Sequence, residues 1–136
     1  HQLDAAWLAV VQQLLAGPLE RLAHVSGGRS SGARVACRTV AATGAVGVLS
    51  LAFPLQPPAR KSGSKSPSRL GELDAVAVPV LVVQGEGDPF GMPPDGPGRE
   101  VVRVRGNHGL RSDIPALSAA VERWLPDVLP AARVER

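Results

Sequence analysis

The chain has no tyrosine, and aromatic residues make up 3% of its 136 positions. Single-stranded nucleic acid is held by stacked aromatics above a basic groove, and neither that platform nor a recognisable reader motif is present. The lone cysteine, Cys37, excludes an internal disulfide and a cysteine-rich metal site, and reads as a buried structural thiol. No run is long and apolar enough to span a bilayer, so no membrane partner is expected. Residues 1–17 lack a basic leading segment and carry Gln12-Gln13, the pattern of an amphipathic helix rather than a signal peptide. A cytoplasmic location is therefore expected, with no cofactor and no metal.

Lysine occurs only at Lys61 and Lys65, inside the cluster Arg60–Arg69, which reads as a solvated loop. The formal charge of +3 comes from arginines spread along the chain, a bias typical of a high-GC bacterial coding background. The first residue is His1 rather than methionine, which suggests that the native start lies upstream.

The length suits one domain with a hydrophobic core, expected over residues 1–136. Leu3, Trp7, Val10, Val11, Leu14 and Leu15 recur at helical spacing and end at Gly17-Pro18. A short strand near Ala23–Ser26 comes next, then a helix over Ser31–Ala42 and an apolar strand over Val46–Phe53. Pro54–Gly71 has no periodicity and reads as a long lid-like or connecting loop. Val76–Gln84 contains the strongest strand signal, Val80-Leu81-Val82-Val83. A loop rich in glycine and proline leads to a strand at Glu100–Val104. A last helix, Ile114–Leu125, is expected to stop at Pro126. Alternating strands and helices predict a mainly parallel sheet flanked by helices, an α/β fold of three layers. In such sheets reactive groups gather at the carboxyl ends of the strands.

Three groups fall there. Gly28-Arg29-Ser30-Ser31-Gly32 spells G-x-S-x-G between a strand and a helix, the context of a nucleophile elbow. Gly28 and Gly32 are expected to keep the flanks of Ser30 clear, and the Ser31 backbone N–H to face a developing oxyanion. Asp88 follows the strand ending at Gln84, and His108 follows the strand ending at Val104. A serine hydroxyl needs a base, and the base needs a carboxylate to hold its tautomer; His108 and Asp88 fit those tasks in that chain order. Each element alone has a plain structural reading: a turn before a helix, an Asp-Pro turn, a loop histidine. Glu86 and Asp95 stand as substitutes for the acid, whereas His1 and His24 lack the placement.

Phosphate-binding alternatives fit less well. From Gly27 a G-x-x-x-x-G spacing matches, but Ala33-Arg34 stands where a P-loop requires lysine and then serine or threonine. Gly85-x-Gly87 also follows a strand, yet Pro89 and further prolines come next instead of a helix to receive a pyrophosphate.

The stretch Ser26-Gly27-Gly28-Arg29-Ser30-Ser31-Gly32-Ala33-Arg34 resembles the Gly-Gly-Lys-Ser-Met-Gly-Gly-Arg elbow of a family of small α/β-hydrolases. These are bacterial relatives of the testis-expressed hydrolase-like protein and of the hydrolase-like subunit of the nonspecific-lethal complex. Phe53-Pro54-Leu55-Gln56-Pro57-Pro58 is similar to the family's Tyr-Pro-Leu-His-Pro-Pro, and Val83–Gly91 to its Gln-Gly-x-x-Asp-Pro-Phe-Gly. Gly106-Asn107-His108 stands at the terminal histidine. Dienelactone hydrolases are more distantly similar, with cysteine where this chain has Ser30. The resemblance implies an esterase-like serine hydrolase acting on a small ester-like substrate through an acyl-enzyme. Arg29, Ser31 and Ala33 depart from the family's lysine, methionine and second glycine. The family's early strands, and the loop giving a second oxyanion donor, have no counterpart, so the chain reads as a C-terminal portion. That leaves two expectations: a catalytically impaired hydrolase-fold interaction module as the alternative function, and an exposed sheet edge at the elbow strand that invites self-association.

Overall fold

The computed structural model describes residues 2–130. Its elements run α1 (Gln2–Leu15), β1 (Val25–Arg29), α2 (Ser31–Thr43), β2 (Gly47–Leu51), α3 (Leu70–Asp74), β3 (Val80–Gly85), β4 (Arg99–Val104) and α4 (Ile114–Val128). The strands form one parallel sheet in the order β1-β2-β3-β4. All four carboxyl ends therefore open on the same side. β1 is an outer strand, as expected.

Two apolar layers hold the sheet between helices. On one face Val48, Val80 and Val82 pack with Ala33, Ala36, Cys37 and Val40 of α2 and with Leu73 of α3. On the other, Leu81, Val83 and Val104 pack with Ala120 and Trp124 of α4. Every residue of β3 is buried, which explains its continuous apolar run.

Several boundaries differ from those expected. β1 begins at Val25, with Leu22 61% exposed outside it, and runs on through both glycines to Arg29. Pairing with β2 in the register Gly27↔Leu49 to Arg29↔Leu51 outweighs the poor strand propensity of glycine. β2 stops at Leu51 because Ala52 turns to a positive φ of 50°. Pro126 does not end α4: it forfeits its own N–H bond and crowds the carbonyl four residues back, but Trp124 and Val128 packed on either side carry the helix through. The helix continues, with Leu129 N–H bonding Leu125 O at 3.0 Å and Val128 packed on the core.

The Pro54–Gly71 stretch is closed at its base rather than loose. Arg69 donates from its backbone N–H to Leu55 O at 2.7 Å and from its guanidinium to Pro54 O at 3.0 Å. Its last residues begin α3, a short helix that periodicity could not reveal in five residues. No helix occurs between β3 and β4, in keeping with the loop rich in glycine and proline expected there.

The stripe expected on α1 forms, but only Val11 of it is buried; Leu3 is 62% and Val10 54% exposed. This open face borders an apolar groove shared with Gly27, Gly32 and Val35 along the free side of β1. α1 is fastened instead by charge. Arg38 of α2 binds the Asp4 carboxylate through two bonds of 2.7 and 2.9 Å, and Arg34 forks onto Glu72 of α3 at 2.6 and 3.0 Å. Burial works against the Glu72 charge, but the two guanidiniums outweigh it and hold its carboxyl below the usual glutamate range.

A depressed carboxyl stabilises the fold above its unfolded pKa and loses that contribution as pH falls through the folded value. Glu72→Gln should therefore lower stability at neutral pH by about 0.5–1 kcal/mol. The gap from the parent should close below about pH 4. Thermal melts of both proteins across that range check it; a gap independent of pH would contradict the ion-pair origin.

Candidate active site

Ser30 sits alone at the tip of the turn between β1 and α2. Its φ of 54° and ψ of −117° lie where non-glycine residues are rarely found. The strand ladder holds it there, with Ser30 N–H bonding Leu51 O at 2.9 Å. Space for so sharp a turn comes from Gly28. A Cβ there would run into the Gly32 carbonyl group and lie 2.8 Å from Ala33 N. Gly32 is different: a Cβ there would meet nothing within 4 Å, so the expected steric need for both glycines applies to Gly28 alone. Among the described residues, no acceptor meets the N–H groups of Ser31 and Gly32 at the start of α2. They carry the positive end of the helix dipole beside Ser30.

The loops after β3 and β4 are coupled through their backbones. Glu86 N–H bonds Val104 O at 2.9 Å and Gly87 N–H bonds Gly106 O at 2.8 Å. The contact at Gly85 is so close that a Cβ would overlap the Asn107 carbonyl oxygen and lie 2.7 Å from that of Gly106. Gly106, at φ 115°, then reverses the chain, and Asn107 Oδ1 accepts from Gly109 N–H at 2.9 Å. This turn presents His108.

The result is a continuous line of contacts. Ser30 Oγ lies 2.9 Å from His108 Nε2, and His108 Nδ1 lies 2.7 Å from Asp88 Oδ2. A carboxylate only accepts, so the Nδ1 proton faces Asp88 and the Nε2 lone pair faces the serine hydroxyl. The Asp88 side chain has 0% exposure and that of His108 23%. Asp88 Oδ1 accepts from Phe90 N–H at 2.8 Å, and the Phe90 ring lies 4.5 Å from the imidazole, centroid to centroid. Such a line can take a proton from a hydroxyl as it attacks a carbonyl and return it to a leaving group.

The other candidates lie apart. Glu86 and Asp95 are exposed, and Asp95 is used locally, accepting from Val101 N–H. His24 precedes β1 instead of lying in it, and its Nε2 has no partner among the described residues; His1 lies outside the described residues. The coil after Gly85 confirms that no helix stands ready for a pyrophosphate. Among the described residues no cluster of three or more metal-ligating side chains occurs, and no helix is long and apolar enough to cross a membrane.

Two contributors carry no assigned role in the sequence reading, although both lie in the stretch similar to the family's Gln-Gly-x-x-Asp-Pro-Phe-Gly. Phe90 shields the imidazole, and Gln84 reaches Asp88 Oδ2 at 3.1 Å from within β3. Gln84 opens that stretch and is also the polar residue closing a run of valines and leucine, and these are the signals that mark it.

This is the fold of an α/β hydrolase. The alpha/beta hydrolase domain family matches residues 1–97, and the chain belongs to that family. The match includes Ser30 and Asp88 and ends before His108. Among solved structures, a protein of the alpha/beta hydrolase superfamily from Xanthomonas campestris pv. campestris is similar at 20% identity and a TM-score of 0.61, over 91% of this chain and 69% of that one. An alpha-beta serine hydrolase homologue from Coxiella burnetii is similar at 19% identity and a TM-score of 0.59, over 86% of this chain and 56% of its own. A serine hydrolase without a lid from Xanthomonas campestris gives 25% and 0.59, over 90% and 55%. The chain thus spans little more than half the length of the last two. No curated protein matches it.

The two glycines give opposite expectations. Gly28→Ala should destabilise by roughly 2–3 kcal/mol, because its methyl meets backbone that cannot yield. Gly32→Ala adds a methyl in open space on a helix and should be neutral or stabilise by up to about 1 kcal/mol. Urea denaturation midpoints of the two variants check the contrast.

Proposed function

We propose that this chain carries the nucleophile, base and acid of a serine hydrolase acting on an ester-like carbonyl compound. The observation that carries the reading is the unbroken line Ser30 Oγ, His108 Nε2 and Nδ1, Asp88 Oδ2, with contacts of 2.9 and 2.7 Å. Ser30 Oγ attacks the carbonyl carbon while its proton passes to His108 Nε2. The tetrahedral oxyanion faces the Ser31 N–H at the mouth of α2. As the carbonyl re-forms, the ester C–O bond breaks and His108 returns the proton to the departing alkoxide. Water then attacks the acyl-serine with His108 again as base, releasing the acid and restoring Ser30. Asp88 keeps the imidazole in the required tautomer throughout.

A cleft of about 220 Å³ meets this line at Phe90 and is walled by Leu55, Pro57 and Pro58 together with Gln56 and Lys65. Phe90 is common to the cleft and to the imidazole stack. The space suits a small acyl or alcohol group with both apolar and polar parts. Within the family, Asp88-Pro89-Phe90-Gly91 supports kinship with the small bacterial hydrolases related to the testis-expressed and nonspecific-lethal complex hydrolase-like proteins.

A second reading, a hydrolase-fold interaction module without turnover, is favoured because, among the described residues, the unpaired N–H donors named beside Ser30 all come from the start of α2. Loss of one oxyanion donor commonly costs about 100- to 1000-fold in rate.

A fluorophosphonate probe separates the two. The parent protein should be labelled at Ser30, and Ser30→Ala should not be labelled at all. Labelling that survives Ser30→Ala overturns the nucleophile assignment. A folded parent protein that resists labelling supports the module.

A further inference from the structure

We propose that Gln84 is a positioning residue that aims Asp88 at His108 and sets the proton affinity of the imidazole. The proposal rests on the Ser30–His108–Asp88 reading given above. Gln84 is the one polar side chain in β3, between Val83 and Gly85, and has 0% exposure. A polar group in such a place costs stability unless its hydrogen bonds are met, and here every one is met. Oε1 accepts from Phe53 N–H at 2.9 Å. Nε2 approaches three oxygens: Gly91 O at 2.8 Å, Phe53 O at 2.9 Å and Asp88 Oδ2 at 3.1 Å. The reverse amide orientation would set oxygen against three oxygens, so the direction of the amide is fixed by its surroundings.

The consequence falls on one atom. Asp88 Oδ2 accepts both from Gln84 Nε2 and from His108 Nδ1. Two donors on one carboxylate oxygen share its charge, so the amide both orients Oδ2 and limits how strongly it draws the imidazole proton. The same amide ties the exit of β2, through Phe53, to the end of the acid loop, through Gly91. The carboxylate is thereby fixed relative to two neighbouring loops as well as to its own strand.

Removing the amide should leave Asp88 Oδ2 to His108 alone. A less-shared carboxylate stabilises the imidazolium, so the His108 pKa should rise. The test is an NMR titration of the His108 ring in the parent and in Gln84→Met, with the signal identified by its loss in His108→Gln. The expected result is an upward shift and a fall in fluorophosphonate labelling of up to about 100-fold. In an Asp88→Asn background, Gln84→Met should move the His108 titration no further. An unchanged titration in folded Gln84→Met overturns the proposal. So does an equal shift with and without the Asp88 carboxylate, which would mark a structural clamp only. Gln84→Asn keeps a polar cage with a shorter reach and is read in the same way where the methionine variant does not fold. Because the titration does not depend on turnover, a parent protein that resists labelling but shows the shift overturns the nucleophile reading and upholds this one.

Discussion

The Asp88 carboxylate has no solvent exposure, and burying a charge without partners costs several kcal/mol. Its surroundings answer that cost atom by atom. Phe90 N–H serves Oδ1, while Gln84 Nε2 and His108 Nδ1 serve Oδ2. Each donor has a second attachment elsewhere. Gln84 is bound to Phe53 and Gly91, Phe90 lies on the imidazole, and His108 reaches Ser30. Satisfying one buried acid therefore fixes the ends of β1, β2 and β3 and the loop after β4 with respect to one another. A network that is fully met in this way is rigid, and a partly met one would be worse than an apolar core.

Parallel topology makes this convergence possible. With all strands pointing the same way, four chain ends emerge at one edge, and groups far apart in sequence meet without any long side chain. Sharp reversals are needed there. Among the described residues the three non-glycine residues with positive φ are Ser30, Ala52 and Leu110, and each stands at a strand exit or in the turn after His108. Such conformations cost of order 1–3 kcal/mol each and persist because surrounding packing over-determines them. Ala52 is fully buried and Leu110 is 4% exposed, which is the kind of confinement required.

Much of this could be read from the chain because the informative residues obey local rules. Val80-Leu81-Val82-Val83 is buried on both sides and could be little else than a central strand. Ser30, Asp88 and His108 each follow an apolar run, so strand assignment alone put them at one edge. What escaped was decided by tertiary contact. Gly27 and Gly28 lie inside β1 because β2 pairs with them, although glycine punctuates most sequences. Pro126 lies inside α4 because Trp124 and Val128 are anchored on either side of it. Gln84 looks like the polar end of a strand until Asp88 and Phe53 are seen around it. The α1 stripe has helical spacing, yet spacing says nothing about what covers a face, and half of it is open.

Cys37 shows why the proposed nucleophile is Ser30 rather than the better intrinsic one. The thiol lies on α2 two turns beyond the elbow and is 5% exposed, packed among Val40, Ala33 and Val48. Burial, reinforced by the nearby Glu72 charge, pushes its pKa up to about 12, which leaves almost no thiolate at neutral pH. A hydroxyl is far less acidic still, but Ser30 does not need to ionise beforehand. In the proposed mechanism an imidazole nitrogen 2.9 Å away takes its proton as the bond to carbon forms, and a helix mouth stands beside the charge that develops. Reactivity in this chain is therefore a property of placement: the same helix that gives Ser31 its free N–H buries Cys37 a few residues later.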